Sequence, residues 1–425
     1  MLKFRVFAVI PVVLAFLFSL SLPLSAAEIT VWTNWGPATP HGQILASIVE
    51  EFNREHPDVN VTLDVMSGNF EEKVVLAYTS GVAPDIIIGG VARYALEFGG
   101  DGGMFLALDR FIDGPHGFSR DEFVSDMWVN SIVDGKTYQL ALDGNERALF
   151  INADLALAAG LDVSQPVPVQ DWDELLSWAR KLTRRNGDET VQWGFNANQQ
   201  NNGDRLHWMW LNGGAVWTDD YSESVINHPR NVEAMRFAAQ MIQEYEVAPA
   251  PGAYSGSAVA NFQNGRFAMF IGASTNIEST QRAGIQLVTV PGPPGWGENP
   301  GRFAGATAST IQIMSTTRYP EAAWQLVRRI AYERAPEITD VRGIPYMIES
   351  LKVDKFQSQP WQAFATSIMT YEGRNQLVKG FDGDAFWGVV ESTWLSVMRG
   401  EIDAQVALDQ AAGPIGAMRA EWRNR

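Results

Sequence analysis

Within residues 143–147 the chain concentrates a carboxylate, a carboxamide and a guanidinium: Asp143, Asn145 and Arg147, with Glu146 between the last two. Hydrogen bonds from charged partners are roughly twice as strong as neutral ones. Such a set suits a ligand whose hydroxyls would be costly to bury unpaired. A second group, Trp208, Trp210 and Trp217, surrounds Gly213 and Gly214 and reads as a pocket wall rather than a helix core. Indoles suit sites with one apolar and one wet side, such as the C–H face of a sugar ring. Asp85 and Trp35 extend the same mixture of groups. Ordinary core packing is the plain alternative for any one indole, and the chain holds 15 Trp beside 22 Phe and 10 Tyr.

Elements that could position these residues follow from the local pattern. Residues 28–32 alternate as a strand. A helical pattern then carries Ile44, Leu45, Ile48, Val49 and Phe52, and residues 59–65 form the next strand. Strand, helix and strand at this spacing predict a βαβ unit, whose ligand sites lie at the carboxyl ends of parallel strands. That places Asn34 and Trp35 after the first strand, with Asn69 and Phe70 after the second. Residues 84–88 read as a central strand covered on both faces. Residues 138–152 are a β-prone run that pauses at Asp143-Gly144 and restarts at Ala148, as a segment crossing between two units would. Asp171 with Glu174 predicts a capped helix start, and residues 308–314 predict a second crossing. Asp85 and Asn69 retain a second reading as turn or cap residues.

Size and charge bound the rest. A chain of 425 residues exceeds one ordinary core and predicts two domains. A formal charge of -17, from 49 acidic against 32 basic residues, disfavours nucleic acid and anionic lipid. With no cysteine and five scattered histidines, disulfides, thiolate sites and close metal-ligand spacings are excluded. No cofactor or metal is expected. Lys3 and Arg5, the apolar stretch 6–22 and Ser25-Ala26-Ala27 read as a signal peptide cleaved near Ala27. The absence of a following cysteine excludes a lipoprotein, so the expected location is the periplasm.

Motifs in order along the mature chain resemble the family 1 extracellular solute-binding proteins of bacterial ABC importers, which include maltodextrin-binding proteins. They are residues 29–32 (ITVW), 52–57 (FNREHP), 80–86 (SGVAPDI), 135–138 (GKTY), 148–152 (ALFIN), 172–175 (WDEL) and 262–269 (FQNGRFAM). The resemblance implies an α/β, two-lobed periplasmic-binding-protein fold of type II kind, with interleaved lobes joined by crossing hinge segments. The lobes would comprise residues 28–142 with 303–345, and 143–302 with 346–425. It implies ligand contacts at Asn34, Trp35, Asn69, Phe70, Asp85, Asp143, Asn145 and Arg147. In the second lobe it implies Trp208, Trp210, Gly213, Gly214, Trp217, Asn276, Arg302, Arg342, Asp384 and Trp387. The chain departs from the family in having Leu142-Asp143 where a proline is usual, and in its Glu146-Arg147 pair, which either faces ligand or locks the hinge.

The function expected from this resemblance is binding of a mono- or oligosaccharide and its delivery, by a monomer, to membrane permease subunits. A polyol, glycerol phosphate or other small polar solute is the alternative. A glycosidase would need two carboxylates about 5 to 9.5 Å apart; Asp143 with Glu146, or Asp382 with Asp384, are acidic pairs of the kind common in so acidic a chain.

Overall fold

A computed structural model describes residues 26–91, 93–129, 131–199, 201–218, 222–303, 309–341, 343–374 and 383–423. Arg342 and most of the expected signal peptide lie outside these residues.

The predicted βαβ unit is present: β1 (Ala27–Thr33), α1 (Pro40–Glu55) and β2 (Val59–Val65). β1 and β2 run parallel, Val31 opposite Leu63. Thr39 caps α1, its hydroxyl accepting from the Gly42 amide at 3.2 Å, and Pro40 occupies the first turn, where its missing N–H costs nothing. Leu45, Ile48, Val49 and Phe52 recur on one helical face and are buried against the strands. Asn53 pins helix to sheet, exchanging both side-chain bonds with the Val61 backbone at 2.9 and 2.8 Å. After α2 (Phe70–Thr79), β3 (Ile86–Val91) joins the far side of β1 in parallel, and Ile86, Ile87 and Ile88 are all fully buried.

The pause at 143–144 divides two sheets. β4 (Leu140–Ala141) belongs to the first sheet and β5 (Arg147–Asn152), buried along its whole length, to the second. Between them Gly144 and Ile344 exchange backbone hydrogen bonds of 2.8 and 2.9 Å. Among the helices that follow are α3 (Trp172–Leu182), α4 (Asn202–Leu211) and α5 (Pro229–Gln243). β6 (Met269–Ala273) and β7 (Leu287–Pro291) flank β5, both antiparallel to it. β8 (Ser309–Ile313) then returns to the first sheet, antiparallel to β3 and β4, giving the order β2-β1-β3-β8-β4. The second crossing is therefore present. α6 (Gln362–Thr370) packs on β5 and β7, and α7 (Gly383–Met398) and α8 (Ala404–Arg423) pack on α5.

Asp171 caps α3 by accepting from the Glu174 amide at 2.9 Å; Glu174 reaches back to the Gln170 amide at 2.8 Å, one residue beyond the capping-box partner. The interior of α3, α4 and α5 is built on Trp172, Trp208 and Phe237. The Trp172 ring stacks on Trp208 at 4.4 Å and on Phe237 at 5.0 Å.

Candidate functional site

A cavity of about 630 Å³ opens where the first crossing enters the second sheet. Its walls come from distant parts of the chain: Asn145 and Arg147 at the start of β5, residues 201–204 at the start of α4, and residues 257–259. Phe270, Ile271 and Ala273 on β6, Asn276, and Trp387 on α7 complete them. Sheet pairing sets Arg147 opposite Ala273 of β6. Ser274 and Thr275 hydroxyls lie 3.4 and 3.3 Å from Asn145 Oδ1, and Asn276 Oδ1 accepts from the Ala273 amide at 3.0 Å.

One ion pair dominates the electrostatics. Arg147 Nε donates to Asp204 Oδ1 at 2.8 Å, and Nη1 donates to the Asn145 carbonyl at 2.6 Å. Both side chains are nearly sealed from solvent, at 5% and 10% exposure. Asp204 is the third residue of α4, and Asn201 caps that helix by accepting from the Asp204 amide at 2.9 Å; the Asn201 amide group also donates to the Asp204 carboxylate. Burial pushes the Asp204 carboxyl upward, and Arg147, then Arg205 and Asn201, pull it back. The result is a cavity carrying a balanced charge pair, several amides and hydroxyls, and the apolar surfaces of Phe270, Ile271 and Trp387. Such walls can satisfy hydroxyls on one side of a ligand and cover C–H groups on the other.

Of the residues expected to contact ligand, the structure brings Asn145, Arg147, Asn276 and Trp387 to this cavity. The others have different surroundings. Trp208 and Trp210 are interior residues at 0% and 1% exposure, and the Trp208 indole donates to the Ala234 carbonyl at 2.9 Å. Neither indole lines the cavity: Trp208 is covered by Trp172 of α3 and Phe237 of α5, and both residues belong to the hydrophobic core. Trp217 is 5% exposed and bridges to Ser224. Gly213 sits at φ 76°, where an added Cβ would meet the Glu298 carbonyl at 2.1 Å; at Gly214 it would meet Asn231 Oδ1 at 1.8 Å. Both glycines thus serve close packing.

In the first lobe, Asn34 and Trp35 lie just past the end of β1 and against Gly89 within β3, Asn34 exposed and Trp35 buried. Asn69 caps α2 through the Glu72 amide at 3.3 Å, and Phe70 is a core residue. Asp85 accepts from the Thr30 amide at 2.9 Å and from the Thr317 hydroxyl at 2.5 Å. Asp143, 2% exposed, accepts from the Ser309 amide at 2.9 Å, joining the two crossings. Arg302 pairs through its backbone with Gly373, Asp384 is the second residue of α7, and Arg342 lies outside the described residues. Sequence reasoning missed Asn201, Asn202, Gly203, Asp204, Ser257 and Phe270. An N-cap signal was available in Asn201 followed three residues later by Asp204.

A sequence profile of the bacterial extracellular solute-binding proteins matches residues 35–329. A binding protein of Brucella abortus is 24% identical over 383 residues, covering 87% of this chain and 89% of its own. An ABC substrate-binding protein of Listeria monocytogenes, solved in complex with cycloalternan, superposes with a TM-score of 0.73 at 23% identity, over 93% of this chain and 99% of that one. The sugar-binding protein MalE of Xanthomonas citri gives 0.79 at 16% identity, over 93% and 98%. At these identities the superpositions show the shared two-lobed α/β fold.

Proposed function

The chain belongs to the bacterial extracellular solute-binding proteins, and we propose that it binds a neutral mono- or oligosaccharide and delivers it to an ABC-type permease. The observation that carries this reading is the cavity at the first crossing. There the Arg147–Asp204 pair, Asn145, Asn202 and Asn276 line the walls together with Phe270 and Trp387. Amides and charged groups can satisfy ring hydroxyls, and the aromatic rings can cover C–H faces. The pairing of Arg147 with Asp204 favours a neutral ligand over glycerol phosphate, since an anion would compete with a carboxylate already seated on the guanidinium. The sugar ligands named for structurally similar proteins agree with this choice.

The protein acts as a monomeric binding protein rather than an enzyme, outside the cytoplasm, after removal of a signal peptide near Ala27 and without a lipid anchor. None of the helices in the described residues is long and apolar enough to cross a membrane. Its lobes comprise 28–142 with 303–345, and 143–302 with 346–425; the return of β8 to the first sheet supports this division. The test is thermal unfolding against maltotriose, cycloalternan, arabino-oligosaccharides, polyols, glycerol 3-phosphate and amino acids. A ligand at a hundred times its Kd stabilises by about 2.7 kcal/mol, so a carbohydrate is expected to raise the melting temperature. Stabilisation by glycerol 3-phosphate or an amino acid, with none by any carbohydrate, would refute the assignment.

A further inference from the structure

Behind the cavity wall lies a second arginine. The Arg205 side chain is 3% exposed and does not line the cavity, yet its guanidinium bonds a cavity residue, Asn202, and a residue of α7, Glu391. Nε donates to the Gln199 carbonyl at 3.1 Å, Nη1 donates to Asn202 Oδ1, and Nη2 reaches Glu391 Oε1 at 3.3 Å. Asn202, oriented by that contact, donates through Nδ2 to the Trp387 carbonyl at 3.2 Å. Trp387 and Glu391 are four residues apart on α7 and therefore lie on one face of the helix. Arg205 holds α7 at both points, directly at Glu391 and through Asn202 at Trp387.

This arrangement does more than add an ion pair. Glu391 is 51% exposed and its oxygen lies 3.3 Å from the guanidinium, so solvent screens the carboxylate side of this pair. What a buried, planar fork with donors in fixed directions supplies is geometry. The group whose geometry matters here is the indole of Trp387, the cavity residue nearest to the clamped positions along α7. A stacking surface must be held closely by supporting bonds if it is to meet a ligand without reorganising.

We propose that Arg205 is a positioning residue for ligand binding, fixing the Trp387 indole in the cavity wall through Asn202 and Glu391 while touching no ligand itself. The inference rests on the cavity being the carbohydrate site, but its structural half can be read without any ligand. In protein labelled with fluorotryptophan, the Trp387 resonance is assigned by its loss in Trp387→Phe. It is expected to shift or broaden in Arg205→Met and Arg205→Lys, and in Glu391→Ala, which removes a half-exposed acceptor and leaves the fold in place should the arginine variants fail to fold. With maltotriose as probe, or whichever carbohydrate first stabilises the unaltered protein, Arg205→Met is expected to weaken binding roughly tenfold, and that loss is expected to vanish in a Trp387→Ala background. A Trp387 resonance that stays put in Glu391→Ala and in every arginine variant that folds overturns the proposal, as does an affinity loss of the same size with and without Trp387. Should no carbohydrate bind, the carbohydrate reading falls, and the resonance alone decides whether Arg205 sets the indole.

Discussion

Arg147 Nε and Asp204 Oδ1 meet at 2.8 Å across 57 positions of sequence, joining the strand that leaves the crossing to the first turn of α4. Removing one member of a buried pair strands the other charge in a poor dielectric, at a cost of about 3–5 kcal/mol. Asp204→Ala is therefore expected to lower unfolding free energy by that order in urea titration. The double variant Arg147→Met/Asp204→Leu is expected to recover most of the loss, because it removes both charges. Equal destabilisation in the single and double variants would mean that packing, not charge, holds these residues.

Two tryptophans predict opposite behaviour. Trp387 borders the cavity and is only partly buried, so Trp387→Ala is expected to weaken carbohydrate binding with little change in melting temperature. Trp208 lies in the stack with Trp172 and Phe237, so Trp208→Ala is expected to cost about 3–5 kcal/mol of stability through the cavity it leaves. Calorimetric titration beside thermal melts separates the two. A Trp208→Ala protein with unaltered stability and lost binding would return that residue to the site.

The contrast also shows what can be read from sequence. The βαβ opening was legible because Leu45, Ile48, Val49 and Phe52 repeat at helical spacing between two alternating strands, a local pattern that needs no partner. The first crossing was legible because Asp143 and Gly144 interrupt a β-prone run, and the structure puts Leu140 and Arg147 in different sheets. The face of Trp208 was not, since apolar and polar residues of α4 are buried alike and only Trp172 of α3 and Phe237 of α5 reveal what covers this ring. Asn69 and Asp85 look alike as ligand contacts or as partners of their own backbone neighbourhood; here the bonds to Glu72 and Thr30 are made. Asp204 was hidden for a different reason, since a capped helix start reads the same whether or not a cavity lies beside it.

Asp143 occupies the crossing itself, accepting from the Ser309 amide on the returning strand. Asp143→Ala leaves a buried N–H without this acceptor and is expected to cost about 1–3 kcal/mol. Asp143→Asn retains a carbonyl oxygen at the same place and is expected to lose less. Chemical denaturation of both variants tests this ordering. If Asp143→Ala instead kept its full stability and lost carbohydrate binding, the side chain would belong to the ligand site rather than to the joint between crossings.

Acid sensitivity is expected where α1 meets residues 329–334. Arg334 and Arg329 donate to Glu51 and Glu55 at 2.5 and 2.6 Å, and these bonds hold both carboxyls below their ordinary value of 4.5. A carboxyl depressed in the folded state binds its proton more readily once unfolded, so its stabilisation is present above the unfolded value and is lost as pH falls through the folded one. The window therefore lies below about pH 4.5. Urea midpoints are expected to fall across that window in the unaltered protein, and to fall less in Arg334→Gln/Arg329→Gln, whose carboxyls have lost the partners that depressed them. Other groups titrate in the same range, Asp403 downward through Arg236 and Asp204 upward through burial, so the difference between the two curves is the informative quantity. Parallel curves would show that these four side chains contribute nothing to the acid limb. A double variant more acid-sensitive than the parent would reverse the sign assigned to Glu51 and Glu55.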